Sequence, residues 1–232
     1  MQAGYMQRRV LLFIRAPELG RVKTRLEKKM DAATVLTLYK HFVEDTMESL
    51  TAGGYGIIVF FSPLHKESAV RAWLGDTVHL QPQTGENLGK KMRNAFSTVF
   101  AMGLGQAFLM GSDSPDIDIG IVDEAYAFLE NRDVVIGPAE DGGYYLIGFQ
   151  NQAFDGDVFS GIDWGTEHVY QQTMQHVQDG GLSSHVLPTR QDIDVYEDLV
   201  SFYHRNIAKG LTGLKTMKFL KQLNLKEFQG FE

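Results

Sequence analysis

Apolar positions along the chain alternate between two periods. Residues 10–14 form a short unbroken apolar run that predicts a fully buried strand, with Pro17 and Gly20 marking a loop after it. Residues 31–51 then repeat every three to four positions (Val35, Leu38, Phe42, Val43, Met47, Leu50), a helical stripe ended by Gly53 and Gly54. The alternation continues with a strand at 57–61, a short helix at 66–74 and a short strand at 78–80. A helix follows from about Leu88, with Asn87 as its N-cap, then a strand at 107–110, a helix at 118–130, and strands at 134–136 and 144–149. Thr166 is placed to cap a helix carrying Val169, Tyr170, Thr173 and Val177. A strand at 184–187 and helices at about 194–208 and 212–226 close the chain.

Strands alternating with helices predict a three-layer α/β/α fold with a mixed, mostly parallel sheet. The absence of a repeat, a low-complexity segment or a linker predicts one domain over 1–232. Within it we expect a nucleotide half (about 8–117), an acceptor half (about 118–208) and a C-terminal helical cap (about 209–232). The stretch 150–190 is the least regular.

Composition narrows this frame. The chain has 232 residues, no Cys and a formal net charge of −7. Disulfides and thiolate metal sites are excluded, and the acidic balance argues against a nucleic-acid partner. The first residues carry no long apolar segment, and no apolar run approaches the length of a membrane span. A cytoplasmic enzyme acting on small molecules is expected, and homo-oligomerisation stays open.

Five stretches carry candidate chemistry, most of them at predicted strand ends, where ligands bind in open α/β sheets. In PELGRVKTRL (17–26), Gly20, Arg21, Lys23, Thr24 and Arg25 follow the first strand, with Arg15 just before. Guanidinium forks beside an ammonium suit a polyphosphate. In FLMGSDSPD (108–116), a strand ends on Ser112 and then presents Asp113 and Asp116. Asp113 is the metal candidate, while Asp116 or Asp118 also suits capping of the next helix. In GPAEDGGYYLIGF (137–149), Asp141 with Gly142 and Gly143 reads either as a general base beside close-approach glycines or as a hairpin turn. In DIDVYED (192–198), Asp194 and Glu197 resemble a capping box, which leaves Asp192 as a second metal ligand. In QTGENLGKKM (83–92), Gln83, Gly85, Lys90 and Lys91 surround a helix start that attracts anions, or form a plain surface loop. Tyr144, Tyr145 and Trp164 read as core or as a sugar or base pocket. None of the seven histidines sits at metal-ligand spacing.

Taken in order, APELGRVKTRL, QTGENLGKKM, MGSDSPD, GPAEDGGYYLIG, DWGT and DIDVYEDL resemble the DUF2064 family, over roughly residues 10–199. That family is described as glycosyltransferase-like, with a GT-A nucleotide-diphospho-sugar transferase fold. VKTRL and DIDVYEDL are also similar to phospholactate guanylyltransferases and, more distantly, to molybdenum-cofactor guanylyltransferases. The resemblance implies Lys23 and Arg25 on phosphates, Asp113 on Mg2+ or Mn2+, Asp141 in the site, and a role for Asp192 and Asp194. It implies a nucleotide-sugar donor with a small acceptor, or alternatively an NTP donor with pyrophosphate leaving; a nucleotide-binding protein without turnover is the third reading. The chain departs from the usual Asp-x-Asp of GT-A enzymes, carrying Asp-Ser-Pro-Asp at 113–116 and a literal Asp-x-Asp only at 192–194.

Overall fold

A computed structural model describes residues 8–223. Seven strands form one sheet in the order β3-β2-β1-β4-β6-β5-β7. They are β1 (Arg9–Arg15), β2 (Gly56–Ser62), β3 (His79–Pro82), β4 (Gln106–Met110), β5 (Val134–Pro138), β6 (Tyr144–Gln150) and β7 (Ser184–Val186). All neighbours pair in parallel except β6, which runs antiparallel between β4 and β5. The fold is the mixed, mostly parallel α/β sheet that the pattern predicts.

The pleat sends successive residues to opposite faces. Val10, Leu12 and Ile14 of β1 join Val59 and Phe61 of β2 and Phe108 and Met110 of β4 in one core. That face is covered by α1 (Ala32–Ala52), α2 (Glu67–Leu74) and α4 (Ile119–Leu129) through Tyr39, Val43, Val70, Val122 and Tyr126. Leu11, Ile58, Phe60, Ala107 and Leu109 face the other way, under α3 (Leu88–Ala101) and α5 (Val169–Asp179). A third cluster joins the outer side of α1 to α6 (Tyr196–Ala208) and α7 (Lys215–Gln222) through Val35, Phe42, Phe202 and Leu220. Each fully buried side chain of this size contributes about 1.5–3 kcal/mol.

Local chemistry explains most boundaries. Asp31 caps α1 by accepting from the Ala33 and Thr34 amides, Asn87 caps α3 through the Lys90 amide, and Asp118 caps α4 through the Gly120 amide. Opposite Phe108, β6 carries Gly148, where a Cβ would stand 2.2 Å from the Phe108 ring; the large residue on β4 requires the small one on β6.

Two sequence expectations are corrected. Thr166 does not cap α5: its hydroxyl donates to the Asp163 carbonyl, and the helix begins three residues later. Glu197 does not close a capping box with Asp194; Asp198 caps α6, taking the Asp194 and Val195 amides on one carboxylate oxygen. The carboxylate at 198 reaches back over the first turn, while the Asp194 side chain pairs with Lys23 instead of capping the helix. The last helix is shorter than its stripe suggests, and residues 224–226 lie outside the described residues.

Candidate functional site

A cleft of about 800 Å3 opens at the carboxyl edge of the central strands. Three chain segments meet there because of the sheet order. The loops after β1 and β4 lie side by side, since those strands pair in parallel. Because β6 is antiparallel, the β5–β6 turn at 139–143 lies at that same edge. Asp141 is therefore a hairpin residue and a cleft residue at once. Its Oδ1 accepts the Gly143 amide at 2.9 Å, while the side chain lines the cleft. The two readings of this stretch are compatible.

The segment after β7 supplies the fourth side. It runs back across the strand ends: Leu187 N–H donates to the Ile136 carbonyl, Arg190 to Pro138, and Ile193 to Asp113 at 3.0 Å. This last bond sets Asp192 and Asp194 on either side of the β4 loop.

Lys23 lies at the centre. Its Nζ is 3.0 Å from Asp113 Oδ1 and 2.8 Å from Asp194 Oδ1, with the side chain 8% exposed. Burial disfavours the ammonium, but the charges of Asp113 and Asp194 and their hydrogen bonds outweigh it, holding its pKa above the usual lysine range. Lys23 has a φ of 46°, a left-handed conformation uncommon for a residue with a side chain. Arg25 adds an ion pair to Asp194 at 3.5 Å. The Asp194 carboxyl is half-buried, which alone would raise its pKa, yet Lys23 and Arg25 hold it below the usual range.

Asp192 behaves oppositely. Burial, then the charge of Asp113, pushes it up to about 6, although the Ser114 hydroxyl donates to its Oδ1 at 2.8 Å. The charge of Asp113 thus reaches Asp192, and Lys23, which lowers the Asp192 pKa, only partly offsets it. Asp113 and Asp192 are the residues that could hold a hard divalent cation such as Mg2+ or Mn2+, which takes one or two carboxylates and leaves its other positions to water and phosphate oxygens. Among the described residues no group of three or more His, Asp or Glu is arranged to hold a metal ion, so a cation here would depend on substrate oxygens as well.

Of the sequence candidates, Arg15, Arg21, Lys23, Thr24, Arg25, Gln83, Ser112, Asp113, Asp141, Gly143 and Asp192 line the cleft. Gly20, Gly85 and Gly142 stand off its wall and shape its loops instead. At Gly142 (φ +88°) a Cβ would stand 2.2 Å from the Glu167 carbonyl oxygen, so only glycine lets the Asp141 turn pack against the segment leading into α5. Lys90 is drawn aside by Glu86 at 2.6 Å, whereas Lys91 lines the cleft.

Asp116 is not a ligand position. Its side chain is 1% exposed, its Oδ1 takes Arg190 and its Oδ2 takes Arg205 and Asn206. It clamps α6 to the β4 loop, and the capping role falls to Asp118 alone.

Tyr39 was not legible as a site residue, being one apolar position among many on the α1 stripe. Its hydroxyl accepts the Arg15 amide at 2.8 Å and donates to the Arg15 carbonyl at 2.9 Å, fixing the end of β1 where the cationic loop begins. Gln83 gives both amide hydrogens to the strand ends, at the Ile14 and Phe60 carbonyls. Trp164, Glu167, Tyr144 and Met92 form the wall opposite the cationic loop.

The model of the DUF2064 family, described as uncharacterised proteins conserved in bacteria, matches residues 46–166. A crystal structure of a candidate nucleotide-diphospho-sugar transferase from Desulfovibrio desulfuricans G20 is 35% identical, covers 93% of this chain and 94% of its own, and superposes with a TM-score of 0.90. The chain belongs to the DUF2064 family. The fold of this DUF2064 protein extends to more distant structures. A CMP:2-keto-3-deoxy-manno-octonic acid synthetase complexed with CTP superposes at TM-score 0.54, with 11% identity over 88% of this chain and 99% of that one. Rv0371c of Mycobacterium tuberculosis H37Rv, complexed with manganese, superposes at 0.52, with 15% identity over 85% and 97%. At these identities the likeness is one of fold. No curated protein matches the DUF2064 chain significantly.

Proposed function

We propose that this protein is a transferase that uses a nucleotide-activated donor with Mg2+ or Mn2+, and that the donor is a nucleotide-diphospho-sugar. The observation that carries the reading is the buried Lys23 ammonium beside Asp113, inside a cleft at the carboxyl edge. A basic loop and a pair of acids are brought together there, as a diphosphate with its cation requires. The TM-score of 0.90 to a candidate nucleotide-diphospho-sugar transferase supports the same class.

Arg15, Arg21, Lys23, Thr24 and Arg25 would bind the donor phosphates, and Asp113 and Asp192 would hold the cation. A cation there supplies charge stabilisation at the leaving diphosphate. The opposite wall suits a polyhydroxylated ring: Trp164 and Tyr144 offer apolar faces, and Asp141 and Glu167 offer acceptors. Asp141 would orient the acceptor hydroxyl and take its proton. The acceptor oxygen then bonds to the anomeric carbon as the bond to phosphate breaks, and the nucleoside diphosphate leaves with the electron pair. Catalysis would rest chiefly on position and electrostatics.

A second reading is favoured by the density of cations after β1. Arg15, Arg21, Lys23 and Arg25 suit a triphosphate, and the CTP-bound synthetase shares the fold. An acceptor phosphate would then attack the α-phosphorus of an NTP and release pyrophosphate, with Asp141 as a binding group.

A melting-temperature panel of NTPs and nucleotide-sugars, with and without Mg2+ or Mn2+, followed by product analysis, tests both. The first reading expects metal-dependent stabilisation by a nucleotide-sugar, about 2.7 kcal/mol at a hundredfold excess over Kd, and release of nucleoside diphosphate. Pyrophosphate release from an NTP supports the second. Stabilisation without turnover across the panel turns both into a nucleotide-binding role, and no stabilisation by any donor rejects the site.

A further inference from the structure

The acid proposed to hold the metal is already engaged. Asp113 gives its Oδ1 to Lys23 at 3.0 Å, yet its side chain is still 39% exposed to the cleft. Lys23 has a second anchor on Asp194 at 2.8 Å that does not depend on Asp113. Its ammonium can leave one carboxylate while keeping the other, and Arg25 beside Asp194 stabilises that acid in either position.

Local charge sets the order of events. Asp113, Asp192 and Asp194 face Lys23 and Arg25, which leaves the cluster one positive charge short, and the cation nearest Asp113 is Lys23 itself. A dication entering alone would have to displace a buried ammonium or stand close to it, and like charges at such distances repel. A dication entering with a donor diphosphate meets no such penalty, because the phosphates give the ammonium a new partner.

Resting on the reading that Asp113 holds the metal, we infer that Lys23 is an exchangeable counter-ion. It holds the Asp113 carboxylate before the donor arrives and passes to the donor phosphates as the metal takes its place. Metal and donor therefore bind as a cooperative pair, each raising the affinity of the other by the same factor. Lys23 stands 3.0 Å from Asp113 and lines the same cleft, so the transfer asks only a short movement of its ammonium.

Titration of Mn2+ alone, followed by electron paramagnetic resonance of the free ion, separates the possibilities. Lys23→Met removes the charge at similar volume and is expected to bind Mn2+ roughly tenfold more tightly than the wild type, the scale of one charge-assisted contact. Asp113→Asn is expected to bind it weakly in either background. Equal affinity in wild type and Lys23→Met, both lost in Asp113→Asn, overturns the exchange and leaves the metal site standing. Binding unaffected by Asp113→Asn overturns the metal site itself. Because Lys23→Met leaves two half-buried acids without their shared cation, a crystal structure of the wild type with Mn2+ and inorganic pyrophosphate provides an independent test. Lys23 Nζ is expected on a pyrophosphate oxygen, and a Nζ still hydrogen-bonded to Asp113 overturns the proposal.

Discussion

Ser114 donates its hydroxyl to Asp192 across 78 positions of sequence, at 2.8 Å. The bond favours the ionised carboxylate in a place where burial and Asp113 work against it. It ties the β4 loop to the segment that follows β7, the two parts of the chain that would share a cation.

The first prediction concerns stability against pH in metal-free protein. Asp192 is raised from 3.8 to about 6 in the folded chain. The unfolded chain gives up this proton first, so the group's contribution is fully present below pH ~4 and is lost as pH rises through ~6. Asp192→Asn removes that loss. Its melting temperature relative to wild type is expected to rise between pH 4 and pH 7; a difference independent of pH would show that Asp192 ionises normally.

Asp113→Asn tests the metal role in the presence of donor. The substitution keeps the shape of the side chain and its acceptor towards Lys23 while removing the charge. The extra thermal stabilisation that Mn2+ gives to the donor complex is expected to vanish, and a preserved increment would assign the cation to other residues.

Asp141→Asn separates binding from transfer. An asparagine oxygen can still accept the Gly143 amide, so the hairpin should survive. Donor affinity is expected to stay within about twofold, while turnover falls by roughly 10^2–10^4, the usual contribution of a general base. An equal fall in donor affinity would make Asp141 a donor ligand.

Asp116→Ala tests a purely structural acid. It strands Arg190, 14% exposed, and Arg205, 28% exposed, without their shared partner. Removing one side of such a buried charge cluster costs about 3–5 kcal/mol, measurable by urea unfolding. A loss below 1 kcal/mol would mean that water or Gln191, already bonded to Arg205, replaces the carboxylate.

Most of the scaffold was legible because its causes are local. The stripe at 31–51 becomes α1 with ends within about two residues, and the helix expected from about Leu88 starts there as α3, since a 3.6-residue apolar period and an Asp or Asn cap act within a few turns. The basic loop and Asp113 were legible for a similar reason, as each lies directly after a buried strand. The misreadings are also instructive. Asp194 looked like a cap because Glu197 has the right spacing, but Asp198 rather than Glu197 takes the Asp194 amide, together with that of Val195, and the Asp194 carboxylate pairs with Lys23. Tyr39 gave no signal, because a tyrosine on a helical stripe reads as core whether or not its hydroxyl holds a strand end.

By itself the sequence determined the strands, the helices, their alternation and the residues able to carry charge to strand ends, because hydrophobic period, capping and turn chemistry are written within a few residues. Only the tertiary structure decided which of those charges meet. Lys23 finds Asp194 across 171 positions, and Asp116 is enclosed by Arg190 and Arg205 while Asp113 stays open to the cleft. These outcomes follow from the sheet order, from β6 inserting antiparallel, and from the return of the chain over the strand ends after β7. Such long-range pairings gain their energy only when distant segments are already assembled, so no local pattern records them.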